Sequence, residues 1–95
     1  MNVNEIFTAE WLAKFKLNNH PLEQVQSAMA DYVAKSERMN EIRTLIGKRP
    51  ENLETIVTNI AKNVTPGEIV NNYPGMVARE LEKMEKRLAD FNTAK

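Results

Sequence analysis

Four prolines punctuate this chain, Pro21, Pro50, Pro66 and Pro74, and each is followed by residues that favour a helix or recur at helical spacing. Proline suits the first turn of a helix, where its missing N–H would have no partner, and it is excluded from a central strand. The pattern divides the chain into an N-terminal segment and four proline-started helices, leaving almost no length for a sheet. The predicted fold is all-α: a compact bundle of about five helices forming one domain over residues 1–95. A chain of this length builds a single modest core and no second one.

The apolar spacing supports the same division. Phe7, Trp11 and Phe15 stand four apart, with Ile6 and Leu12 beside them, which predicts a first helix over 5–16 capped by Asn4 or Thr8. A longer helix is predicted over about 21–46. Its positions Leu22, Val25, Met29, Tyr32 and Met39 alternate steps of three and four, with Ser36 at the skipped place. The stripe then continues one step early through Ile42, Leu45 and Ile46, so the buried face should rotate before Gly47 closes the helix. Leu53, Ile56, Val57 and Ile60 mark a further helix, and Thr65-Pro66-Gly67-Glu68 has the spacing of a capping box. That box should open a short helix carrying Ile69 and Val70, ended by the run Asn71-Asn72-Tyr73-Pro74-Gly75. The last helix, about 75–91, carries the most regular heptad, Val77, Leu81, Met84, Leu88 and Phe91. The expected core is Trp11, Phe15, Leu22, Val25, Met29, Tyr32, Ile56, Ile60, Leu81 and Leu88.

Composition argues against most chemistry. Thirteen basic and thirteen acidic side chains balance, so no overall field draws the molecule to nucleic acid or an anionic membrane. There is no cysteine, and His20 is the single histidine, placed directly before Pro21 as a cap or turn residue would be. Glu80, Glu82 and Glu85 alternate with Arg79, Lys83, Lys86 and Arg87, the pattern of a solvated helix face, and the Glu-x-x-His motif of di-metal bundles is missing. Three dispersed glycines make no phosphate loop. No enzyme activity, catalytic residue, cofactor or metal is therefore expected. No apolar run is long enough for a membrane span, and Met1-Asn2-Val3-Asn4-Glu5 lacks the features of a signal peptide, so a cytoplasmic location is the expectation.

What remains is recognition through a helix surface. The expected function is a non-enzymatic helical interaction module, an adaptor, inhibitor or accessory protein, binding another protein or its own copy. Val77, Leu81, Met84, Leu88 and Phe91 are the candidate interface, and a homodimer the expected assembly. Eleven asparagines in a small helical domain resemble, in composition alone, accessory proteins of bacteria and phages. The alternative is a small DNA-binding regulator using a helix-turn-helix-like segment over 66–90, with Arg79, Lys83 and Arg87 in a row on its second helix. Lys35, Arg38, Arg43, Lys48 and Arg49 form a second candidate set of anion contacts, although cations at a helix C-terminus also complement the helix dipole. Acidic residues interleaved with the first row would weaken phosphate binding.

Overall fold

A computed structural model describes residues 1–16 and 18–94. Among them are one 3-10 turn, Val3–Glu5, and four helices: α1 Ala9–Leu12, α2 Leu22–Leu45, α3 Leu53–Asn63 and α4 Pro66–Thr93. The all-helical expectation holds, with four helices in place of about five. Two readings change. The predicted first helix is broken, because Thr8 takes an extended conformation and its hydroxyl accepts the Trp11 N–H, which starts a fresh helix there. The predicted stop at 71–75 does not occur, and α4 runs straight through Pro74.

The prolines therefore play four different parts. Pro66 is the first residue of α4, after a Thr65 cap whose hydroxyl accepts the Glu68 N–H at 3.3 Å. Pro21 is itself the N-cap of α2, extended at ψ 149°. Pro50 lies outside α3, which Asn52 caps. Pro74 sits in a helix interior, where the lost hydrogen bond and the crowding of the carbonyl four residues back cost about 3 kcal/mol. Packing on both sides of it, through Ile69 and Val77, both fully buried, keeps the helix continuous.

Cross-chain pairings set the topology. Tyr32 stacks near Tyr73 with ring centroids 5.5 Å apart, and further along Arg38 binds Glu85, so the register between α2 and α4 advances in the same direction and the two helices are parallel. Parallel neighbours need a return path, and α3 supplies it. Asn40 holds its start: the side-chain amide donates to the Glu51 carbonyl and accepts the Glu51 N–H, both at 2.8 Å. Trp11 holds its end, donating Nε1–H to the Ala61 carbonyl at 2.8 Å, one of the last-turn carbonyls that no helix can satisfy internally. Gly47 ends the α2 run with φ +80°, and the Gly47 and Lys48 amides fold back onto Thr44 and Arg43 in a Schellman turn.

The core has two parts. The proximal cluster joins Val3, Phe7, Trp11, Val25, Met29, Val33, Val57, Ile60 and Ile69. The aromatic spacing survives the helix break, with Phe7 edge-on to Trp11 at 4.9 Å and Trp11 against Phe15 at 5.1 Å. The distal cluster joins Met39, Ile42, Val77 and Met84, with Ile46, Leu81 and Leu88 packed around it. Of the expected core, Trp11, Val25, Met29 and Ile60 are buried, while Phe15, Leu22, Tyr32, Ile56, Leu81 and Leu88 are only partly so. The expected continuation of the buried stripe through Ile42, Leu45 and Ile46 holds only for Ile42, which is fully buried; Ile46 is half-buried and Leu45 is exposed. Buried Ser36 hydrogen-bonds the Tyr32 side chain, which satisfies the one polar residue in that seam.

Truncating fully buried Phe7 to alanine should cost roughly 3–5 kcal/mol in guanidinium unfolding. Gly47→Ala should cost about 1 kcal/mol by the same measurement, since no neighbouring atom obstructs a Cβ and backbone strain alone opposes it.

Candidate functional site

Because α3 begins beside Asn40, the last turns of α2 and α4 continue beyond it. This distal end, where both long helices finish, holds two of the three exposed large apolar side chains among the described residues: Leu45, 55% exposed, and Phe91, 41% exposed. Ile46 and Leu88 are half-buried at the same level. The heptad of α4 faces inward first: Val77 is fully buried and Met84 only 7% exposed, both against α2 of the same chain. Those two residues therefore serve the protein's own core. Of the predicted interface, Leu81, Leu88 and Phe91 keep exposed area.

Three of the basic candidates are paired with acidic side chains. Lys35 pairs with Asp31, and Arg38 with Glu41 and Glu85. The Arg38–Glu85 contact is a two-pronged one, Nε and Nη2 donating to the two carboxylate oxygens at 3.0 and 2.9 Å, and it is the ion pair that joins α2 to α4. Arg43 binds Glu51 at 3.1 Å and donates to the Asn40 side-chain amide oxygen at 2.8 Å. Lys48, Arg49, Arg79 and Lys83 are exposed without an ion pair among the described residues, and Arg87 donates to the Met84 sulfur at 3.9 Å. The segment 66–90 is one unbroken helix, so the helix-turn-helix reading is corrected: there is no turn to set a second helix across the first.

The opposite end carries a cavity of about 480 Å³ between the 14–20 stretch and the start of α4, lined by Lys14, Lys16, His20, Pro66 and Gly67 among others. His20 lies against Gly67, and its Nδ1 stands 3.2 Å from the Gln24 carboxamide oxygen. Among the described residues no three His, Cys, Asp or Glu side chains are grouped to hold a metal ion. None of the described helices is long and apolar enough to cross a membrane.

Charge at the α2–α4 seam shifts two groups. The Arg38 guanidinium holds the Glu85 carboxyl below its ordinary range, and the same bond pushes Arg38 up. Burial raises Tyr32, against the opposing hydrogen bond from Ser36. No protein-family model matches the chain, and no curated protein or solved structure is significantly similar to it.

The distal end was legible only in part. Leu45 belongs to the same run of apolar letters as Ile42 and Ile46, and sequence spacing alone does not say which of the three stays outside. Because Glu85 is depressed in the folded state, its stabilisation is present above the unfolded value and lost as pH falls through the folded one. Thermal stability should therefore drop as pH falls below the ordinary 4.5, and Glu85→Gln should lower the neutral-pH melting temperature slightly and flatten that acid limb.

Proposed function

We propose that the chain is a non-enzymatic helical interaction module whose partner is a second copy of itself, joined through the distal ends of α2 and α4. The observation that carries the reading is the exposure of Leu45 and Phe91 at one end of the molecule, beside half-buried Ile46, Leu81 and Leu88. Two helices packed on each other cover only one side of each apolar stripe. A second identical pair, related by a two-fold axis, makes a four-helix arrangement that covers the rest. Residues near the distal ends of α2 and α4 carry both signs, Lys48 and Arg49 beyond α2 and Asp90 on α4, so identical ends need not repel. The body is 53 Å long but only about 20 Å across, so an end-on interface is small and the dimer should be a reversible one.

Sedimentation equilibrium at micromolar concentration should give a species of twice the 10.9 kDa chain mass. Leu45→Glu with Phe91→Glu should return it to the single-chain mass without loss of helical circular dichroism. A wild-type chain that stays at 10.9 kDa across that range overturns the reading.

A further inference from the structure

The two core clusters meet at one point of α4. Ile69 belongs to the proximal cluster, Val77 and Met84 to the distal one, and Tyr73 lies between them against Tyr32, whose side chain packs on both. The next two residues are Pro74 and Gly75. Pro74 has no N–H for the Val70 carbonyl, and its ring disfavours a helical Tyr73. Gly75 is the weakest helix former after proline, yet its backbone does not need glycine: its φ is not positive, and an added Cβ would meet only the mobile end of Arg79 at 3.4 Å. The weakest pair of helix residues thus falls at the boundary between clusters.

The two sides are held very unequally. The proximal part of α4 is packed into a cluster of nine buried residues drawn from the N-terminal segment, α2, α3 and α4 itself. The distal part rests on a cluster of four, and on the Arg38–Glu85 pair, with α2 as its partner helix. We infer that α4 is hinged at Pro74–Gly75, and that the arm 76–93 releases from α2 as a unit while the rest of the bundle stays folded. Release uncovers Met39 and Ile42 on α2 and Val77 and Met84 on the arm. The hinge acts within one chain, and stands whether or not the distal ends pair two copies.

Native-state hydrogen exchange, read by NMR at concentrations low enough to keep the chain monomeric, tests it. Amides of α4 beyond Gly75 should exchange as one class, about tenfold or more faster than those of Val57, Ile60 and Val25 through Val33. A single exchange rate on both sides of Pro74 overturns the hinge. In the Pro74→Ala, Gly75→Ala double variant the distal class should slow by at least about tenfold. A distal class that does not slow also overturns it. Should the double variant fail to fold, Gly75→Ala alone is read in the same way, with a slowing of about threefold or more.

Discussion

The parallel pairing of α2 and α4 is the constraint to which the rest of the structure answers. Two parallel helices in sequence cannot be joined by a short turn, since the chain must travel back the full length between them. Here α3 and its two connections make that journey in the residues between Leu45 and Pro66. The return is anchored twice, by Asn40 gripping both backbone groups of Glu51 and by Trp11 capping the Ala61 carbonyl. Both anchors use side chains to satisfy backbone groups at the ends of α3, where the helix cannot do so itself.

The return path is shorter than the helices it connects, and this has a functional consequence. Around the proximal half, α3, α1 and the 3-10 turn close a cluster built on Phe7, Trp11, Val25 and Val57. Past Asn40 the long helices run on as a pair, and the apolar positions outnumber the surfaces available to cover them. Leu45 and Phe91 keep exposed apolar area there. The same shortage thins the attachment of the α4 arm, so the exposed end and the weak point of the helix have one origin.

Electrostatics follows the packing rather than directing it. Most candidate cations of 35–50 are engaged locally: Lys35 with Asp31, Arg38 with Glu41 and Glu85, Arg43 with Glu51. Such partly exposed pairs contribute little individually. Arg38–Glu85 differs in joining two elements, where its fork geometry helps fix the register of the seam.

Helix class, the Thr65 cap and the Gly47 stop could all be read from local residues, because each depends on neighbours within one or two turns. The heptad of α4 was equally legible as a stripe, but a stripe records only that one side is apolar. Whether that side meets its own chain or another is decided by what the chain places beside it, and here α2 takes Val77 and Met84. Thr8 was one of two local cap candidates, and its hydroxyl caps α1 through Trp11. The passage of α4 through Pro74 lay beyond local reading for the same reason: there a preference of a few kcal/mol was set against the packing of Ile69, Tyr73 and Val77. Sequence by itself determined which segments are helical and which faces are apolar; tertiary structure decided which faces find partners, since that depends on contacts between residues far apart in the chain.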